Sequence, residues 1–483
     1  MTNDREPRNG DGGASFFWYD LETTGTNLRA DRIVQFAGIR TDLELNEVDL
    51  PFSTYVKCPV DVLPDPFACA VTGLTPQRIN RDGMNELEAY VAINRCFAQP
   101  QTCVAGFNSL RFDDEFIRYG FFRHFIDPYA REWQGGNSRW DIIDLARAAA
   151  ALRPEGIEWP TEEGLPTFRL GELAAANGIA HAGAHDALSD VRATVDLARL
   201  LRAKQPRLFD YYLKLRDRGQ LQRRLRPERS KLSLHVSRMF ARERGCIAPI
   251  VPLAWHPRNR NSVIVADVGR DIRPLIEWNP DRLRDALFGR DVEERPPLKE
   301  VRFNRCPFVA PLATLRATDA ERLVIDVAAA RRRADELLAA AGIADKIASL
   351  YADRASSRVY DADASLYDGF IEDDDRARCG DVLSQLLDGV ASPGVVFSDE
   401  RLNELLFRLR ARRDESTLSA AERARWQLWL KAKLVDGDDS VMTLARFRES
   451  IDRLGAPAEL IEELREHANR VERRVAGLGA SAA

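Results

Sequence analysis

Phe16-Phe17-Trp18-Tyr19-Asp20-Leu21-Glu22-Thr23-Thr24-Gly25 is an aromatic run that turns acidic at its end, and the rest of the chain is read outward from it. Its aromatic, apolar character predicts a buried strand. Strand side chains alternate between faces, so Asp20 and Glu22, two apart, project the same way at the strand's C-terminal end. Thr23, Thr24 and Gly25 then turn the chain. Two adjacent buried carboxylates without a compensating charge are strongly unfavourable, and the pattern therefore implies a cation between them. A hard divalent ion such as Mg²⁺ accepts one or two carboxylates and keeps positions open for substrate phosphates.

An isolated Asp-x-Glu is more often a solvated strand end, so the reading rests on further acids at matching places. Arg32–Arg40 and Phe52–Val56 read as two more strands, and their short connections favour an antiparallel meander. Residues 85–97 carry helical periodicity, and Thr102–Phe107 returns as a strand. The alternation predicts a mixed α/β sheet covered by helices. The strand ending at Phe107 leads into Asn108-Ser109-Leu110-Arg111-Phe112-Asp113-Asp114-Glu115, with Asp113 at a helix start beyond a strand end, where α/β sheets gather ligands. Asp113 and Asp114 could equally serve as helix cap or dipole partner. Residues 138–152 read as one helix. Ala184-His185-Asp186-Ala187-Leu188-Ser189-Asp190 opens another that runs to about Lys204. His185 and Asp190 are five apart, so they converge only if His185 lies before the helix or in its first turn. Spacing alone leaves His181 and Asp186 as alternatives.

A chain of 483 residues exceeds one compact domain. Composition divides it into a polar tail (1–14) expected to be disordered, an α/β domain (15–205), a domain of short strands (206–356) and a helical domain (357–483). In the second, runs at 232–236, 247–253, 262–268 and 301–309 suggest a small β-barrel flanked by a helical stretch at 320–350. Arg216, Arg218, Arg223, Arg224, Arg226, Arg229 and Lys231 form a basic segment, either a solvated helix face or a phosphate-tracking surface. No apolar run is long enough to cross a bilayer. Seven cysteines, an odd number with no Cys-x-x-Cys pair, argue against a disulfide framework or zinc site and for a cytoplasmic setting. The net charge of −5 means that any nucleic-acid role needs a localised basic surface.

Asp20, Glu22, Asp113 and Asp190, with His185 before the last, form an ordered Asp-Glu-Asp-Asp set, and here the chain resembles the DEDDh 3′→5′ exonucleases of the ribonuclease-H-like superfamily. Residues 108–115, 137–141, 152–157, 165–170, 205–211 and 252–261 narrow the likeness to the bacterial exodeoxyribonuclease I family. That resemblance implies a ribonuclease-H-like exonuclease domain with a mixed sheet, an SH3-like β-barrel and a C-terminal all-α domain. It implies Mg²⁺-dependent, processive 3′→5′ degradation of single-stranded DNA to 5′-mononucleotides in repair and recombination. Two Mg²⁺ ions, with Mn²⁺ able to substitute, would be held by Asp20, Glu22, Asp113 and Asp190, and His185 would act as general base. The family motif selects His185 and Asp190 over His181 and Asp186. Glu22, Arg118, Tyr129, Trp133, Arg147 and Arg169 are the expected contacts to the strand, by stacking and phosphate binding. Arg153 is expected to hold the terminal carboxylate of the acidic tail of single-stranded-DNA-binding protein. A single chain would enclose the strand, so no partner subunit is needed. An RNA-trimming or proofreading nuclease is disfavoured by the domains beyond Pro206. A non-catalytic strand-binding scaffold is disfavoured by the presence of all five site residues.

Overall fold

A computed structural model describes residues 13–181, 183, 186–289, 292, 293, 295–352, 360–391 and 393–476. Most of the expected disordered tail, residues 1–12, and His185 lie outside the described residues. The aromatic run is strand β1 (Ser15–Thr23), the centre of a five-stranded sheet with β2 (Ile33–Thr41), β3 (Phe52–Tyr55), β4 (Thr102–Gly106) and β5 (Ser138–Asp141). The order is β3-β2-β1-β4-β5, antiparallel from β1 through β3 and parallel across β1, β4 and β5. The meander is as expected, but residues 138–152 are not one helix. Ser138–Asp141 pairs with β4, and only Ile143–Leu152 is helical, as α3. The ladder, a long-range contact, overrides the local preference of that short stretch.

Alternation along β1 sends Phe16 and Trp18 to one face and Phe17, Tyr19 and Leu21 to the other. On the first face lies helix α4 (Ala187–Lys204), which contributes Val191 and Val195. On the second lie α1 (Glu86–Phe97), with Tyr90, Ile93 and Phe97, and α2 (Asp113–Arg123), with Phe116, Ile117 and Phe121. The sheet is thus clad on both sides, which explains why its central strand reads as a continuous apolar run.

Beyond this unit, β6 (Ser233–Val236), β7 (Ile247–Trp255), β8 (Ser262–Asp267), β9 (Leu298–Arg302) and β10 (Val309–Pro311) form an antiparallel sheet in the order β9-β8-β7-β6-β10. The run expected at 301–309 is two strand ends separated by a 3₁₀ turn at Phe303–Arg305, after which Cys306 takes a left-handed backbone (φ 43°). Helices at Ala317–Arg322, Val327–Ala339 and Ile343–Ser349 flank this sheet. The remainder is helical, with α5 (Glu400–Arg413) and α6 (Ala420–Leu434) prominent. No described helix is long and apolar enough to cross a membrane.

Candidate active site

Asp20 and Glu22 continue the face of Phe16 and Trp18, so they stand where the aromatic packing against α4 ends. The first turn of α4 brings Asp190 to the same place. Carboxylate oxygens of Asp20, Glu22 and Asp190 all lie within 4.8 Å of one another. The turn after β1 is tightly specified. Thr24 donates to Asp31 (2.9 Å) and Thr23 to the Gly25 carbonyl (2.7 Å). A Cβ on Gly25 would stand 2.5 Å from an Asp31 carboxylate oxygen, so only glycine fits there without displacing it.

Asp113 arrives from the opposite layer, as the first residue of α2. The chain reaches it through Asn108, which adopts the left-handed conformation (φ 62°) that asparagine tolerates, and a 3₁₀ turn at Ser109–Arg111. Asp141, at the end of β5, accepts the backbone N–H groups of Asn108 (2.8 Å), Leu110 (3.2 Å) and Ile143 (3.0 Å), and so fixes this turn. Burial and neighbouring Asp144 push the Asp141 carboxyl up to about 6. The next residue, Asp114, turns inward and is held by Arg131, Arg139 and the Tyr19 hydroxyl (3.3 Å), tying the start of α2 to β1.

The start of α4 is positioned in the same way. Asp186 caps the helix by accepting from the Ser189 backbone N–H (3.2 Å). Gln35, opposite Glu22 in the β1–β2 ladder, donates to Asp186 (2.8 Å). His181 Nε2 contacts Asp190 Oδ1. Asp141 and Gln35 are structural contributors to the site to which the sequence assigns no role, although Asp141 ends the motif 137–141; His181 and Asp186, alternatives on spacing alone, stand beside Asp190 and at the α4 cap.

Electrostatically the ledge is made of like charges. Burial raises the Asp20 carboxyl well above its ordinary range, and Asp113, Asp190, Glu22 and Asp186 push it further. Burial, then Asp190 and Asp186, raise Glu22 to about 8. Asp113 is raised chiefly by burial, with Asp141, Asp114 and Glu22 adding to it. The strongest charges on Asp20 are all carboxylates, led by Asp113, whose oxygens are not among the three that lie within 4.8 Å of one another. An all-oxygen, anionic donor set suits a hard divalent cation. The mutual repulsion is what such an ion would relieve.

The expected strand-contacting residues differ in their surroundings. Trp133 is 67% exposed and Tyr129 36%. Arg118, under the Tyr129 ring at 5.3 Å, is buried and bonded to both oxygens of Glu132 (2.8 and 3.0 Å) and to Glu115 (3.0 Å). Arg147 is buried on α3, paired with Asp144 (2.7 Å) and lying over Phe168. Arg169 is solvent-facing and pairs with Glu172 (2.7 Å). Arg153 lies away from the ledge, where α3 ends. It donates to the Thr314 carbonyl (3.2 Å) and lies 3.8 Å from Asp319, which also takes Arg316 (2.6 Å) and Arg322 (3.1 Å).

Residues 17–198 match the family model described as Exonuclease, 216–353 the Exonuclease I SH3-like domain, and 360–471 the Exonuclease I C-terminal domain. Exodeoxyribonuclease I of Escherichia coli (strain K12) is 42% identical over 419 residues, spanning 86% of this chain and 88% of that protein. The zinc-ion-bound E. coli ExoI–ssDNA complex superposes with a TM-score of 0.89 at 39% identity, covering 95% of this chain and 100% of that one. An ExoI/SSB-Ct complex superposes equally, with a TM-score of 0.89 at 38% identity, over 95% and 99% of the two chains.

Proposed function

Because the chain belongs to the exodeoxyribonuclease I family, we propose that it is a Mg²⁺-dependent exonuclease that degrades single-stranded DNA from the 3′ end and releases 5′-mononucleotides. The observation that carries the reading is the convergence of Asp20, Glu22 and Asp190 within 4.8 Å, with Asp113, at the start of α2, adding its charge at Asp20. Asp20, Glu22, Asp113 and Asp190 hold the divalent ions, directly or through water. Bound there, two such ions would supply an activated water and neutralise charge on the scissile phosphate. His185 takes the proton of the attacking water. Gln35 and Asp186 keep the first turn of α4 against β2, so Asp190 faces the ledge. Asp141 and Asp114 do the same for Asp113 at the start of α2.

Trp133 and Tyr129 offer stacking faces to the incoming bases, and solvent-facing Arg169 offers a phosphate contact. Arg118 and Arg147 already neutralise carboxylates. Their part in strand binding is to hold Tyr129 and Phe168 in place. We read the chain as three units, divided near residues 205 and 356, that together line the strand's route. By likeness to the ExoI/SSB-Ct complex, Arg153 and its arginine neighbours receive the carboxylate end of the acidic tail of single-stranded-DNA-binding protein.

The test uses single strands labelled at the 3′ or the 5′ end, with Mg²⁺ or EDTA. Labelled mononucleotide should leave first from 3′-labelled DNA, and only with the metal. Asp20→Ala should lower the rate by about a thousandfold or more while strand binding in EDTA persists. Equal rates on matched RNA would overturn the substrate assignment, and activity surviving in Asp20→Ala would overturn the metal site.

A further inference from the structure

Glu115 is two residues from Asp113, on the first turn of α2, and it is almost completely buried (4% exposed). Its partners come from all three parts of the chain. Oε1 accepts from Arg118 Nη1 of its own helix (3.0 Å) and from Arg305 Nη2 (2.9 Å), in the 3₁₀ turn between β9 and β10, 190 residues away. Oε2 accepts from the hydroxyl of Tyr367, 252 residues away at the start of the helical part. Arg118 Nη1 also reaches the Tyr367 oxygen (3.2 Å), and the Tyr367 ring lies edge-on to Tyr119 of α2 at 5.7 Å. A second tie runs beside it, from Arg139 Nη2 of β5 to the Asn304 carbonyl (2.8 Å).

A helix turn is rigid on the scale of two residues, so the SH3-like sheet and the helical part are both fastened to the element that presents Asp113. Detaching either would strip a buried carboxylate of a donor, which costs more than the bond is worth in water. Surface ion pairs contribute little, but this one is desolvated and shared.

We propose that Glu115 is a positioning residue, a clasp that keeps the two later parts of the chain seated over the strand beside the metal ledge. It thereby sets how many nucleotides leave per encounter. The inference rests on the reading of the chain as a strand-degrading exonuclease. It assigns Arg305 and Tyr367 to the clasp and not to strand contact or hydrolysis.

The double variant Arg305→Ala/Tyr367→Phe tests it, with Tyr367→Phe alone as the milder change that removes one oxygen. A long 5′-labelled strand is pre-bound, and Mg²⁺ is added together with excess unlabelled strand, so that each enzyme reports one encounter. The double variant should release about tenfold fewer nucleotides per encounter, the equivalent of one charged hydrogen bond lost. Tyr367→Phe should fall between it and wild type. The rate on a trinucleotide, too short to span the flanking parts, and its Mg²⁺ dependence should be unchanged. Unchanged run length in the double variant would overturn the clasp. So would a trinucleotide rate falling in step with run length, because the loss would then be general. Wild-type protein that releases nothing from bare strands would overturn the parent reading and the clasp with it.

Discussion

At the β1 ledge the neighbours of Asp20, Glu22 and Asp113 are other carboxylates, whereas between the sheet unit and the C-terminal helices buried acids have guanidinium groups around them. Asp61 is gripped by both arms of Arg412 (2.9 and 2.8 Å) and by Lys433 Nζ (2.6 Å). Asp363 takes Arg412 (2.9 and 2.8 Å) and Arg408 (2.6 Å). Burial alone would raise all of these carboxyls. At the ledge no cation is among the leading causes, only a backbone hydrogen bond at Asp113 opposes burial, and the shifts are upward. At the interface Arg412 leads the opposing charges and the net shift of Asp61 and Asp363 is downward. The lesson is that burial does not distinguish an acid that pairs across a domain interface from one that clusters with other acids. The sign of its neighbours does.

Removing charge should therefore act in opposite directions. Asp363→Ala takes one shared acid from Arg408 and Arg412, which keep Asp361, Glu404 and Asp61, and should destabilise the protein by about 1–3 kcal/mol. Asp20→Asn relieves repulsion and should stabilise the metal-free protein by roughly 1 kcal/mol. Thermal melting in EDTA checks both; a loss of stability in Asp20→Asn would break the contrast.

The pH dependence separates the two regions next. Glu22 is raised from 4.5 to about 8, so between those values the folded chain holds a proton that the unfolded chain has released. On this account metal-free stability falls as pH rises across that window. Asp61 and Asp363 are depressed from 3.8, so their contribution is present above that value and is lost as pH falls below it. Melting curves from pH 5 to 8.5 should show the gap between Mg²⁺-loaded and EDTA-treated protein widening with pH. A constant gap would mean that the ledge does not bind the ion as a carboxylate set.

The effect confined to partner affinity is expected where cations outnumber the acids. Arg153, Arg316 and Arg322 surround Asp319, and Arg316 also pairs with Glu155 (2.7 Å), leaving three cations to two acids. Arg153→Ala should weaken binding of the acidic tail peptide about tenfold and leave hydrolysis of bare DNA untouched. Unchanged peptide affinity would remove the assignment.

Much of the ledge was legible because it depends on local periodicity. Two-residue spacing on an aromatic strand places Asp20 with Glu22, and helix starts place Asp113 and Asp190. What was not legible is tertiary. The four residues of β5 become a strand only through pairing with β4, and Asp141 gains its role from that pairing. An arginine's type does not disclose its partner. Arg118 and Arg147 read as phosphate holders, yet each is spent first on a carboxylate, while Arg412 bridges acids 351 and 49 residues distant.

Phe16, Trp18, Asp20 and Glu22 share one side of a strand, and Val191 and Asp190 share the start of the helix laid over it. The spacing of the coordinating oxygens is thus inherited from how closely hydrocarbon meets hydrocarbon one layer down. Core density and the spacing of the acid cluster are thereby coupled, and a methyl trimmed from Val191 should be felt as a change in the separation of Asp190 from Asp20 and Glu22.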